Sequence, residues 1–301
     1  MHWQGGLILT LALALLLPVA AKADPIPVAV ETLIRTADRE GDAVAFRATV
    51  AMARKAFPAS EKEIGTLAKT LQAAAARRHR IKLSRQGFFQ GWKGQGQVGA
   101  GTTTGNSKST TLSLGLAFNR EGLRWNHALT ATIDYQRDFG RESKSRYFTD
   151  YQGNYRFNDR LYAAGLLSFE DNRFAGFKRR FSEAAGIGWR IIEGPRMNLS
   201  IEAGPALRQT DFIGQSSENA LAGRAALNYD WQIFSNLKLT ETASLYGQRR
   251  DSTFTSNTAL TANLIGSLSA QLSYLAQFES DPPAGLERFN TTSRLTLVYS
   301  F

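Results

Sequence analysis

From Phe88 to the last residue, apolar and polar positions alternate with a period of two. "TTLSLGLAF" sets Leu112, Leu114, Leu116 and Phe118 on one face against Thr111, Ser113, Gly115 and Ala117. "LRWNHALTATIDYQ", "YFTDYQGNYRF" and "LSAQLSYLAQF" repeat the alternation. Alternating segments of about ten residues are the mark of transmembrane β-strands. Some twelve are expected, near 88–101, 108–119, 123–137, 145–157, 160–171, 180–192, 196–209, 218–233, 236–247, 254–265, 268–279 and 289–301. Their connections alternate as well. "NREG", "FNDR", "EGPR", "FSN" and "GS" are tight, whereas "GTTTGNSK", "DFGRESKS", "EDNRFAGFKR", "TDFIGQSSEN", "QRRDSTFTSN" and "ESDPPAGLER" are longer. Short turns on one rim and longer loops on the other describe an outer-membrane barrel. The expected fold is an all-β transmembrane antiparallel up-and-down barrel of about twelve strands over 84–301.

A soluble β-sandwich or a lipocalin-like barrel would also alternate, with its apolar faces on a dry core. Two features favour lipid. Aromatic residues collect towards segment ends (Trp92, Trp125, Tyr155, Phe157, Trp189, Tyr229, Trp231, Tyr299, Phe301), as an interfacial girdle does. The polar faces carry charges suited to a wet lumen: Arg124, Asp134, Asp150, Arg156, Glu170, Arg190, Glu202, Arg224, Asp230 and Arg294. Either these pair across the interior and plug a narrow barrel, or they line a water-filled path that filters solutes by charge. Two residues resist the scheme. Glu241 has lipid-facing parity, and Pro205 removes a ladder donor inside a strand. A bulge would reset either parity, and a protein partner would cover either face.

Before Phe88 the period is helical. Val28 to Arg39 reads as a short helix stopped at Gly41, and Ala43, Phe46, Val50, Ala53 and Phe57 form a second stripe. Ser60 and Glu63 suggest a capping box for a third helix, with Ile64, Leu67, Ala68, Leu71, Ala74 and Ala75 on one side. A small helical module over 24–83 is expected, its stripes forming its own core or a partner surface. It closes on the basic stretch "RRHRIKLSRQ".

Residues 1–23 stand apart. "LILTLALALLLPVA" is a 14-residue apolar run followed by "AKA", the pattern of a cleaved signal peptide. The chain has no cysteine, which excludes a lipoprotein anchor, disulfides and thiol chemistry. Its net charge of +10, in an exported protein, points to anionic lipid headgroups rather than nucleic acid. Basic residues cluster in the longer loops (Arg137, Arg141, Lys144, Arg146; Lys178, Arg179, Arg180; Arg249, Arg250), where lipopolysaccharide phosphates are the expected partner.

Two resemblances add to this reading. The last strand, with Leu297, Tyr299 and a terminal Phe301, resembles the carboxy-terminal signal read by the barrel-assembly machinery, although Thr296 stands where glycine is usual. "GWKGQGQVGAGTTTGNSKSTTLSLGLAF" resembles the opening of the YdiY-like family of salt-induced outer-membrane proteins, a domain of unknown function. The residues that carry it are Trp92, Gly94, Gly99, Gly105 and Asn106, followed by Ser107. The family implies an outer-membrane barrel and supplies no reaction. Gly105-Asn106 is also plain turn chemistry.

No catalytic, cofactor or metal site is expected. His127, the only histidine after His79, has outward parity between Trp125 and Leu129 and faces no serine on the preceding strand. It belongs with the interfacial belt. The expected protein is therefore an integral outer-membrane barrel with periplasmic helices. It is either a narrow passive pore or envelope-stress barrel, or a non-conducting structural protein whose helices dock a periplasmic partner or the cell wall.

Overall fold

The computed structural model describes residues 25–105, 109–137, 144–214, 216–249, 251–282 and 285–301. The expected signal segment, Asn106, Ser107, Arg141 and Arg250 lie outside the described residues, as do the side chains of Arg137 and Lys144.

The helical part contains α1 (Val28–Glu40), α2 (Ala43–Ala56) and α3 (Glu61–Arg85). Gly41 ends α1 in the left-handed region, with φ 75°, a conformation glycine takes at little cost. Asp42 then caps α2, its carboxylate accepting from the Val44 and Ala45 amides at 2.8 and 3.0 Å. Ser60 closes a short 3-10 turn, Pro58–Ser60. Its hydroxyl donates to the Pro25 carbonyl rather than forming the expected capping box. Ile34, Phe46, Ile64 and Ala68 are buried together, so the stripes form the unit's own core. Two compact units divide between Ala76 and Arg77, within α3. The basic end of that helix thus groups with the barrel.

The second unit is a closed antiparallel barrel of twelve strands, each paired with its neighbours in sequence and β1 with β12. The strands are β1 (Trp92–Thr104), β2 (Ser109–Glu121), β3 (Trp125–Arg137), β4 (Lys144–Arg156), β5 (Leu161–Asn172), β6 (Phe177–Glu193), β7 (Met197–Phe212), β8 (Glu218–Phe234), β9 (Leu237–Gly247), β10 (Ser252–Ile265), β11 (Leu268–Glu279) and β12 (Phe289–Ser300). Leu112, Leu114, Ile133, Tyr147, Leu167, Ile187, Leu207, Leu272, Leu295 and Leu297 are exposed on the outer face. Their partners in the period of two, among them Thr111, Ser113, Asp134, Glu202 and Thr296, are buried inside. An apolar outside around a polar inside is the arrangement lipid imposes. Closure leaves no unpaired edge, which a bilayer would not tolerate.

The barrel closes where the two motif regions of the sequence meet. Gly94 and Phe301 exchange both backbone hydrogen bonds at 2.9 Å. A Cβ at Gly94 would stand 2.2 Å from the Phe301 ring. Glycine is needed there because the last side chain lies flat over β1. Tyr299 and Leu297 point outward beside it. Gly99 also backs onto β12, where a Cβ would fall 2.5 Å from Thr296 Oγ1.

Both misfits are absorbed without a register shift. Glu241 pairs with Tyr229 and Thr258 where both ladders keep their register, so it does face outward. Its carboxylate accepts from the hydroxyls of Ser256, at 2.6 Å, and Thr258. Pro205 sits opposite Gly223. On its other side the β6–β7 ladder is interrupted between the Ala184–Ala206 and Ile187–Ala203 pairs. The proline removes a donor there. Gly204 and Gly186 let the two backbones close in, since a Cβ on Gly204 would lie 2.0 Å from the Ala185 carbonyl oxygen.

Candidate functional site: the lumen

Period-two geometry sends every second side chain inward, and what those side chains bond to determines how much of the lumen stays open. Near the loop rim the interior is crowded with ion pairs in two clusters. In the first, Asp134 on β3 accepts from Arg146 (3.2 Å), Arg294 (2.8 Å) and Ser113 (2.6 Å). Arg146 also donates to Glu170 at 2.7 Å, and Asn172 donates to the same carboxylate. In the second, Arg180 on β6 donates to Glu279 on β11 at 3.1 Å. Thr253 donates to Glu279 at 2.8 Å. Arg208 donates to Thr253 at 2.7 Å and stacks on Tyr246, 4.2 Å from the ring centre. In a ring of twelve, β6 and β11 are five places apart, so this pair crosses the lumen nearly from wall to wall. A cavity of about 50 Å³ lies beside Asp134, Arg146 and Arg294.

Mid-barrel, Glu202 organises a second group. It accepts from Arg224 (3.0 Å), Gln152 (2.8 Å) and the Tyr162 hydroxyl (3.0 Å), drawing on β4, β5, β7 and β8. The adjoining cavity is about 10 Å³, room for about one water. Asp150 faces the interior opposite Thr130.

Towards the turn rim the interior opens. A cavity of about 250 Å³ is lined by Arg156, Arg190, Glu193, Asn126 and Asp230, among others. Arg156 lies along the wall, donating to the Gly122 carbonyl and Asn126 at 3.5 and 3.4 Å. Arg190 donates to the Asp159 carbonyl at 3.1 Å. Asp230 pairs with Lys238 at 2.7 Å, both half exposed.

Nine of the ten charged residues expected in the lumen face it. Arg124 does not. It lies on the β2–β3 turn and donates to the Tyr155 hydroxyl at 2.8 Å, on the outer surface. A turn residue is not bound by strand parity, and a free phenol draws the guanidinium outward. Arg146 and Arg180, at the starts of expected strands and counted among the basic loop residues, are strand residues buried in the lumen. Arg208, Glu279, Tyr162 and Tyr246 were missed. Arg208 shares the parity of Glu202, and Arg180 that of Arg190, so counting strands outward by two would have found both arginines. The Nε atoms of Arg156, Arg180, Arg208, Arg224 and Arg294 are buried without a protein acceptor. A buried N–H left without any partner costs about 1–3 kcal/mol, so the lumen has the chemistry of a wet space.

The outer face near the turn rim is aromatic. His127 shares a 2.7 Å hydrogen bond with the Tyr151 hydroxyl and stacks on Trp125. Phe88 and Trp92 close in on its other sides.

The description "Protein of unknown function, DUF481" matches residues 96–301. The chain belongs to the DUF481 family. Among curated relatives, the uncharacterized protein YdiY of Escherichia coli (strain K12) is 26% identical over 209 residues, covering 68% of this chain and 82% of that protein. Among solved structures, the barrel is similar to the NanC porin, with TM-score 0.48 and 10% identity over 68% of this chain and 98% of that one. It is also similar to an outer-membrane channel from Pseudomonas putida F1, with TM-score 0.45 and 11% identity over 70% and 95% of the two chains. The DUF481 match agrees with the resemblance carried by the first hairpin of the barrel.

Proposed function

We propose that the protein is a narrow passive pore of the outer membrane, without enzymatic activity, held nearly shut by the ion pairs at the loop end of its lumen. The Arg180–Glu279 pair carries this reading, because it joins nearly opposite walls. Around it four bases, Arg146, Arg180, Arg208 and Arg294, stand against three acids, Asp134, Glu170 and Glu279. The narrow constriction passes water and small ions and excludes sugars by size. The turn rim and helical unit face the periplasm and the loops face lipopolysaccharide, after export on residues 1–23 and insertion by the barrel-assembly machinery. Liposome swelling with the folded full chain tests the reading. The wild type admits no disaccharide, and R180Q/E279Q admits small sugars. Equal exclusion by both would contradict it.

A second reading rests on the helical unit having its own buried core. That unit would then dock a periplasmic partner or the cell wall, and the barrel would only anchor it. Deleting 24–83 should abolish an envelope phenotype while the barrel still assembles. An unchanged phenotype would sink the docking reading.

A further inference from the structure

The outer face at the turn rim carries a one-sided feature that the lumen reading leaves unused. Arg120, at the end of β2, has outward parity, standing opposite both Trp92 and His127. It is nevertheless buried. Its Nε donates to the Gln90 carbonyl at 3.2 Å and its Nη2 to the Gly87 carbonyl at 3.1 Å, while its guanidinium lies over the Phe88 ring. The indole of Trp92 donates to the Phe88 carbonyl at 3.0 Å. One buried arginine therefore clamps the segment 86–91 onto the barrel's outer face. The clamp leaves Phe88 57% and Phe89 90% exposed. His79, near the end of α3, meets Glu121 of the same rim at 3.3 Å. Arg77, Arg80, Lys82 and Arg85 are exposed on the same end of α3. Among the described residues no carboxylate pairs with these four. Arg124 adds a guanidinium beside Tyr155, just past the Trp125–His127–Tyr151 girdle.

Aromatic girdles lie at headgroup depth. Bare phenylalanines flanked by unpaired basic side chains are the composition of segments that lie in an anionic interface. We propose that residues 77–92, with Arg124, form a binding site for an anionic phospholipid of the leaflet at the turn rim. Phe88 and Phe89 enter the acyl boundary, and the guanidinium and ammonium groups hold the headgroup phosphate by charge-assisted hydrogen bonds. The other tight turns carry no comparable excess. Asp159 accompanies Arg160, Glu193 accompanies Arg196, and Asp230 is bound to Lys238. Lipid phosphate is favoured over free phosphate because the apolar half of the site has no use for a soluble ion.

Native mass spectrometry of the folded full chain, titrated in micelles with dioleoylphosphatidylglycerol or dioleoylphosphatidylcholine, tests the site. The wild type should bind the anionic lipid at least about tenfold more tightly, since each basic residue near the surface contributes. In R77Q/R80Q/K82Q/R85Q/R124Q the preference should vanish, and in F88S/F89S both lipids should bind more weakly with the preference kept. On the wild type alone, raising salt to 0.5 M should erase the preference by screening exposed charges, a readout that needs no variant to fold. Equal affinity for the two lipids overturns the proposal, as does a preference that survives salt or the glutamine variant. Soluble glycerophosphoglycerol should neither bind nor compete. If it bound as tightly as the lipid, the site would be one for free phosphate esters and the lipid assignment would fall.

Discussion

Arg146 and Arg156 stand at the two ends of the same strand, with the same inward parity, and behave differently. Arg146 is held between carboxylates from both neighbouring strands, Asp134 and Glu170. Arg156 finds only a carbonyl and an amide beside it and lies along the wall. A cavity of about 50 Å³ lies among the loop-end pairs, and one of about 250 Å³ lies towards the turn end. Strand number is the same at both ends, so it does not set the bore here. The placing of carboxylates differs: Asp134 and Glu170 hold Arg146 from the neighbouring strands, Glu279 holds Arg180 from across the lumen, and Arg156 has none beside it.

The comparison can be pressed by substitution, beginning with the largest effect. E202A leaves Arg224 buried without its carboxylate and strands Gln152 and Tyr162. Breaking one side of a buried pair costs about 3–5 kcal/mol, to be read as a lower denaturant midpoint for the barrel folded in vesicles. G94V drives a side chain into the Phe301 ring at the closing seam. Overpacking of this kind costs about 1–3 kcal/mol, and slowed assembly would show as a persistent unfolded band on unheated gels. R156Q, at the open end, removes only long hydrogen bonds to neutral acceptors. Its midpoint should shift by about 1 kcal/mol or less, and the change should appear in ion selectivity instead. R179Q/D211N deletes an exposed pair on the outer side of the loop rim. It should alter stability by less than about 1 kcal/mol and leave permeation unchanged, which makes it the control for R180Q/E279Q one residue away.

Much of this was legible in the chain because a transmembrane strand has a single strict rule. Leu112 to Phe118 could sit in only one way relative to Thr111 to Ala117, and the registers follow. Residues at strand ends were harder. Arg146 and Arg180 lie in charged stretches that read as loop, since nothing local marks where a strand stops once both faces are polar. Arg124 lies one residue before β3, where parity no longer binds. Glu279 both ends the expected strand 268–279 and opens the stretch "ESDPPAGLER", and its alternation with Gln277 places it inside. The reason for Gly94 could not be read from its neighbours, because the ring that requires glycine there comes from the other end of the sequence. The partners of Glu241 were likewise on another strand, and a lipid-facing carboxylate looks unsatisfied until Ser256 and Thr258 are brought beside it.

In the proposed pore the loop-end ion pairs, and the Arg180–Glu279 pair above all, set the bore. Single-channel conductance of the folded full chain in a planar bilayer tests it most directly, comparing wild type, R180Q/E279Q and R179Q/D211N at one salt concentration. Small steps are expected for the wild type and the outer-rim control, and steps several-fold larger for the lumen variant. Large steps from the wild type, or a lumen variant indistinguishable from it, would contradict the account.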